Sequence, residues 1–126
     1  MTLELKGNAL ISEFLGATVE PTYINESSGT TWYRVEGDWV VEWRKKGFRT
    51  GGFGKKAMLE NLDFHKSWDW LMPICKELVF LKEVNDKEGH DRWIKALDSV
   101  VIIYDIDLVF STVIQFIEWY NTQKNL

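Results

Sequence analysis

The segment Asn61–Pro73, whose sequence is NLDFHKSWDWLMP, constrains the fold more than any other part of the chain. It holds three large aromatic residues, one histidine, two carboxylates and a proline. A tryptophan ring needs a shaped pocket, and its N–H needs a hydrogen-bond partner. We therefore interpret the segment either as the centre of the core or as a recognition surface.

A helix is predicted to run from Ser67, a favourable N-cap residue, to about Leu81. Its buried stripe is expected to consist of Trp68, Leu71, Ile74, Cys75, Leu78, Val79 and Lys82. Trp70 and Met72 would then face partly away from this stripe. Pro73 removes one backbone hydrogen bond and is expected to bend the first turn.

Two more helices are predicted towards the end of the chain. Helical spacing favours a helix from about Glu88 to about Tyr104, but the run Val100–Tyr104 is also typical of a strand, so a helix followed by a strand stays an alternative. Asp105–Asp107 is predicted to cap a last helix over about 108–122. Its inner face would consist of Val109, Val113, Phe116, Ile117 and Tyr120. We expect the tail, residues 123–126, to fray.

The first part of the chain predicts one short helix and a β-hairpin. The helix should run from about Gly7 to Leu15, with Asn8 as its cap and Gly16 at its end. Residues 17–29 are polar and predict a loop. β-Branched and aromatic residues then predict a hairpin with strands at 30–35 and 39–43 and a turn at 36–38. One face of this hairpin is expected to be aromatic and to cover a helix.

These elements together predict a small α+β fold in which three or four helices pack with an antiparallel β-hairpin or small sheet. The chain has 126 residues, the usual size of one domain, so we predict a single domain over residues 1–126. Hydrophobic residues make up 45% of the chain and aromatic residues 14%, which suffices for a core and argues against disorder.

The cysteine content points to a reducing compartment, and the hydropathy of the chain argues against a membrane span. The single cysteine, Cys75, cannot form an internal disulfide or a thiol-only metal site, and its predicted place in an apolar helix face makes its thiol inert. No apolar run approaches the ~20 residues that span a bilayer, and the N-terminal residues lack the pattern of a signal peptide. We expect a soluble, cytoplasmic protein without a membrane partner.

The positive charges are concentrated in one segment. Six basic residues and no acidic residue lie within residues 44–56, here called the basic segment: Arg44, Lys45, Lys46, Arg49, Lys55 and Lys56. Elsewhere nine basic residues stand against 19 acidic residues. The segment also contains Phe48, Phe53 and several glycines, a composition found in loops that bind single-stranded nucleic acid. The alternative is a solvated loop held by the acidic face of the protein itself. The spacing does not match a phosphate-binding P-loop.

A second candidate site lies at the start of the central helix. This helix-start cluster consists of Asp63, His65, Trp68, Asp69 and Trp70. A histidine between two carboxylates is a residue set for general acid–base chemistry or for part of a metal site. The alternative is hydrogen bonding at the start of the helix, with the imidazole packed against a tryptophan. Too few ligands are present for a zinc site, and we predict no catalytic residues, no metal and no cofactor.

The segments Phe64–Pro73 and Val113–Asn121, together with residues 8–16, resemble a group of small uncharacterised proteins from bacteriophages, prophages and related bacterial genomes. The resemblance implies a small α+β domain of phage or mobile-element type and implies no activity. Gln115 stands where an acidic residue is expected in this group, and residues 31–56 look expanded in this chain.

Three functional hypotheses follow. The leading one is a non-catalytic accessory protein that binds another macromolecule, with a protein as the favoured partner, because the chain lacks a catalytic set, carries seven tryptophans and has unevenly spread charge. The second is nucleic-acid binding through the basic segment, with Phe48 and Phe53 stacking on bases. The third is a small enzyme centred on His65, Asp63 and Asp69.

Overall fold

The structure, a computed structural model, describes residues 1–124. In this part of the chain the elements are α1 (Leu3–Phe14), β1 (Thr18–Asn25), β2 (Thr30–Glu36), α2 (Trp39–Lys45), β3 (Lys56–Met58), a 3-10 turn (Leu59–Asn61), α3 (Trp68–Val79), α4 (Lys87–Val101) and α5 (Ile106–Lys124). The strands form one antiparallel sheet in the order β1-β2-β3. The predicted α+β class is confirmed. The described residues form five α-helices, whereas three or four were predicted.

The chain divides after Leu62 into two compact units. The first unit, Met1–Leu62, contains α1, the sheet and α2. The second unit begins at Asp63 and contains α3, α4 and α5. The single domain over residues 1–126 stays a prediction.

Helix α1 begins four residues before its predicted start. Thr2 caps it, because the Thr2 Oγ1 accepts a hydrogen bond from the Leu5 N–H at 3.2 Å. The predicted capping role of Asn8 is wrong: its side chain is buried, and its Nδ2 donates to the Leu62 carbonyl at 2.9 Å. This distant carbonyl gives a mid-helix asparagine a partner that local sequence does not reveal. Gly16 ends the helix as predicted, with a φ of +94°.

The hairpin consists of β1 and β2, whereas the sequence predicts its strands at residues 30–35 and 39–43. Residues 18–25, predicted as loop, form β1 and pair with β2. The intervening turn is closed by Asn25, whose Oδ1 accepts hydrogen bonds from the N–H groups of Ser27 and Ser28. The predicted aromatic face of that hairpin is also wrong, because residues 39–43 form helix α2 and do not pair with residues 30–35 as a strand.

The second predicted strand, at residues 39–43, is helix α2. Trp39 and Trp43 stand four residues apart, so in a helix they share a face, and their rings meet edge to face at 5.5 Å between centroids. Val40 is fully buried beside them. Strand β3 takes the place beside β2, where Val35 pairs with Ala57. Packing of the two indoles therefore overrides the strand propensity of this segment.

Helix α3 confirms most of the predicted stripe. Its buried side chains are Trp70, Leu71, Ile74, Cys75 and Leu78. The prediction that Trp70 faces away is wrong: a turn at 64–66 brings Phe64 against Trp70, with ring centroids 5.1 Å apart. Trp68 is only half-buried, and Lys82 lies beyond the end of the helix. Ser67 takes the N-cap position, but its side chain makes no capping hydrogen bond.

Helices α4 and α5 settle the ambiguous run Val100–Tyr104. The helical interpretation is right and the strand is wrong, but α4 ends at Val101, and residues 102–104 form a turn. Asp105 caps α5 as predicted, because its Oδ1 accepts from the N–H groups of Asp107 and Leu108. Of the tail expected to fray, residues 123 and 124 are helical, and residues 125 and 126 lie outside the described residues.

Close packing of aromatic rings joins α4 to α5. The rings of Trp93 and Phe116 stack with centroids 5.7 Å apart, and the His90 ring lies parallel to that of Trp119. His90 Nε2 also lies 2.8 Å from the Leu78 carbonyl, so its N–H donates to the last turn of α3. The packing of α4 on α5 therefore determines the position of the turn that connects the two helices.

Candidate functional site

The basic segment spans the end of α2 and the loop that leads to β3, and Arg44 is its internal brace. The guanidinium donates to the Gly54 carbonyl at 2.7 Å and to the Lys56 carbonyl at 2.9 Å. It also donates to the Thr50 hydroxyl at 2.9 Å. Because three loop acceptors occupy this side chain, Arg44 acts in folding the loop, and it is the least available of the six bases to an anionic ligand.

Three of the lysines have partners within the same unit. Lys55 Nζ lies 2.8 Å from Asp38 Oδ1, and hydrogen bonding to this carboxylate raises the pKa of Lys55. Lys45 pairs with Glu42 at 3.5 Å, and the Lys46 ammonium lies 4.9 Å from the centre of the Trp43 ring. These contacts are exposed and therefore weak, but they support the interpretation of a solvated loop held by local partners.

The two phenylalanines of the basic segment have different surroundings. Phe48 is half-buried, and its ring lies 5.9 Å from that of Trp43. Phe53 is 82% exposed at the tip of the loop, with Arg49 and Lys56 also exposed. A Cβ added at Gly52, where φ is +79°, would stand 2.8 Å from the Lys56 carbonyl oxygen. The glycines therefore permit a tight coil that presents Phe53.

The members of the helix-start cluster have different contacts in the structure. Asp63 pairs with Lys66 at 3.5 Å, and the His65 ring meets the Phe110 ring edge to face at 6.2 Å. Trp70 is buried in the core of the second unit, whereas Asp69 is exposed. Within residues 1–124, no group of three or more histidine, cysteine, aspartate or glutamate residues is placed to hold a metal ion.

Cys75 lies where the sequence predicts it, in the buried face of α3. Burial raises the pKa of its thiol to about 11. A thiol that is both protonated and enclosed is a poor nucleophile, so its contribution is to packing.

The turn between α4 and α5 is an exposed apolar feature that was not among the predicted sites. Ile102, Ile103 and Tyr104 are 77%, 62% and 83% exposed. The turn is nevertheless regular, because Ile103 N–H donates to the Val100 carbonyl and Tyr104 N–H donates to the Val101 carbonyl. We call these three residues the apolar turn.

Neighbouring side chains extend the apolar turn into a patch. The Tyr104 ring meets the half-buried Trp68 ring edge to face, with centroids 6.1 Å apart. Leu108 is partly exposed one helical turn further on. Tyr104 has a φ of +60°, a left-handed conformation that few non-glycine residues adopt. Trp68 thus links the predicted helix-start cluster to a surface that was not predicted.

The apolar turn lies in an acidic stretch of the chain. Asp98 precedes it in the last turn of α4, and Asp105 and Asp107 follow it. No lysine or arginine occurs over residues 96–123. Among residues 1–124, neither Asp98 nor Asp107 takes part in a salt bridge. Three carboxylates therefore flank the apolar turn along the chain, and we call Asp98, Asp105 and Asp107 its acidic rim.

No family model matches the chain, and no significantly similar curated protein or solved structure was found. Among the described residues, no helix has the length and hydropathy needed to cross a membrane.

Proposed function

We propose that the chain is a non-catalytic accessory protein of phage or mobile-element type that binds another protein through the apolar turn. The observation that carries this proposal is the exposure of Ile102, Ile103 and Tyr104, three consecutive apolar residues in a hydrogen-bonded turn. Grouped apolar side chains at a surface are typical of contact sites, because covering them removes apolar area from water.

The hairpin offers a second set of exposed apolar residues, but it is less suited to one contact. Tyr23 and Ile24 are each about as exposed as Ile103. Tyr23 shares one face of the sheet with its exposed cross-strand neighbour Trp32, whereas Ile24, adjacent to Tyr23 in β1, points to the other face. The apolar turn instead exposes three consecutive apolar residues between α4 and α5, and the Tyr104 ring lies against Trp68.

The phage or mobile-element type is supported by the resemblance of Phe64–Pro73 and Val113–Asn121 to proteins of that kind. A cytoplasmic location is supported by the single cysteine, which suits a reducing compartment.

A comparative pull-down tests the proposal. The turn variant carries Ile102→Ser, Ile103→Ser and Tyr104→Asn, and the hairpin variant, Tyr23→Ser with Ile24→Ser, is the matched control. We expect a protein from a lysate of the natural host to be retained by the wild type and by the hairpin variant and lost by the turn variant. Circular dichroism melts verify that both variants are folded. Identical profiles for all three proteins, or no retained protein, would contradict the proposal.

Nucleic-acid binding is a second candidate, favoured by the exposed Phe53 ring in a loop that also exposes Arg49 and Lys56. Such a site would be small, because Arg44 and Lys55 have internal partners. It predicts that a single-stranded oligonucleotide binds at low salt, that binding weakens as salt rises, and that Phe53→Ala weakens it about tenfold by loss of one stacked base. Fluorescence anisotropy with no binding at low salt removes this candidate.

A further inference from the structure

We infer that the occupant of the apolar turn is a basic amphipathic segment of a partner protein, apolar on one side and rich in lysine or arginine on the other. The inference rests on the proposed function, and it adds the chemistry of the partner. Its basis is the joint placement of apolar and acidic side chains around the end of α4.

The apolar half of the surface offers three exposed side chains, with the Trp68 ring against Tyr104 and the exposed Leu108 four residues further along the chain. A partner must present apolar side chains to cover it. An amphipathic helix does so along one face, with anchors at i, i+3 and i+4, and keeps its opposite face polar.

The acidic half of the surface selects the sign of the partner's charge. Asp98, Asp105 and Asp107 lie within four residues of the apolar turn. Within residues 1–124 none of the three forms a salt bridge, and Asp98 forms none with Lys95 three residues before it. Complementary charge across an interface speeds association and disfavours partners of the wrong sign. The same rim disfavours an anionic lipid surface, which carries negative charge of its own.

Two local features of this surface are unfavourable for folding. Asp98 stands in the last turn of α4, where the negative end of the helix dipole disfavours a carboxylate. Tyr104 occupies the left-handed region, which disfavours a bulky side chain. Strained or unfavourable residues collect where binding requires them. Both residues contribute to the proposed contact: Asp98 supplies charge and Tyr104 supplies an exposed ring.

A titration with designed peptides tests the inference. The probe is a synthetic helix with leucine on one face and lysine on the other, and the control peptide has glutamate in place of lysine. We expect the leucine–lysine peptide to bind the wild type and the hairpin variant, and the turn variant to lose at least about tenfold in affinity. The leucine–glutamate peptide should not bind.

Neutralising the rim separates charge recognition from stability. Asp98→Asn with Asp107→Asn should weaken the leucine–lysine peptide about threefold to tenfold and reduce the salt dependence of binding, and leave circular dichroism unchanged. Asp105 is left in place because it caps α5.

Three results would overturn the inference: equal binding of both peptides, binding of neither, or binding that the turn variant retains. Binding of anionic vesicles through the apolar turn, or a dimer that the turn variant abolishes, would also overturn it. A host protein retained in the pull-down only by folded proteins with an intact turn, together with no peptide binding, would contradict the basic occupant and leave the proposed function standing.

Discussion

Tyr104 shows how one residue can be costly for the fold and still be present. Its φ of +60° and its 83% exposure mean that it has little packing to offset a strained backbone. An ordinary residue at such a φ costs about 1 kcal/mol or more, whereas asparagine tolerates it. The side chain therefore contributes its ring to the surface more than to the stability of the second unit.

Replacement of this ring should affect binding and stability differently. We expect Tyr104→Asn to change the free energy of unfolding by less than about 1 kcal/mol, because relief of strain offsets the lost contact with Trp68. Phe116→Ala, in the buried core of the same unit, should cost about 3–5 kcal/mol. Urea titrations measure both values. A large loss of stability in Tyr104→Asn would show that the ring is structural.

Cys75 provides a residue-scale test of the core. Burial raises the pKa of its thiol from 9.0 to about 11, so at mildly alkaline pH the thiolate fraction falls by about a hundredfold relative to an exposed cysteine. We expect iodoacetamide to alkylate the native protein at least about a hundredfold more slowly than the urea-unfolded protein. Similar rates would contradict the buried placement.

The same pKa shift sets a pH window for stability. The pKa of Cys75 is higher in the folded protein than in the unfolded chain, so the folded state favours the protonated thiol. The contribution of this thiol to the free energy of unfolding is therefore fully present below pH 9.0 and is lost as the pH rises towards about 11. Cys75→Ala should remove this part of the pH dependence, measured as the difference between the two proteins in urea titrations.

At the scale of elements, the start of α4 depends on a glycine. A Cβ at Gly89 would meet the Asp86 carboxylate that caps the helix, and would stand 2.8 Å from Trp119 Cζ2. Glycine to alanine in an exposed helix usually stabilises by up to about 1 kcal/mol. Here we expect Gly89→Ala to destabilise by about 1–3 kcal/mol through overpacking. A more stable Gly89→Ala protein in urea titration would contradict the close packing of α4 on α5.

The loop between α2 and β3 depends on one guanidinium. Arg44→Lys should destabilise the loop, because an ammonium cannot reproduce the planar set of donors that reaches Gly54, Thr50 and Lys56. We expect the free energy of unfolding to fall by about 1–3 kcal/mol. We also expect faster hydrogen exchange at the Met58 amide, which donates to the Thr50 carbonyl. Arg49→Lys, an exposed position in the same loop, is the control and should change little.

The sequence predicted the elements that carry strong helical periodicity and failed where two periods compete. The buried face of α3, the Asp105 cap and the Gly16 stop were available from residue spacing. Residues 39–43 contain tryptophans and valines that suit a strand. Their helical conformation follows from tertiary packing, in which the Trp39 and Trp43 rings meet and Val40 is buried. Residues 18–25 contain Pro21, which is tolerated because β1 is an edge strand.

The candidate surface was harder to predict than the fold. The run Val100–Tyr104 has the composition of a buried element, so its exposure depends on where α4 ends. One signal was present: a cap at Asp105 requires the chain to turn just before it, which places residues 102–104 at a surface bend. For the basic segment, the internal partners of Arg44 and Lys55 depend on tertiary placement that spacing does not give.

At the scale of the whole molecule, the charge is not shared equally. Met1–Leu62 carries eight acidic and eight basic residues, whereas the remainder of the chain carries 11 acidic and seven basic residues. The net charge of −4 therefore belongs to the unit that carries the apolar turn. A basic partner is attracted to this unit before any contact forms, and added salt should slow its association.

An amide chemical-shift titration of the full chain with the leucine–lysine peptide tests whether the apolar turn binds a basic amphipathic segment. We expect the largest shifts at Ile102–Leu108 and at the Trp68 indole, and we expect the turn variant to lose them. Shifts centred on the basic segment or the hairpin, with none at the apolar turn, would contradict it.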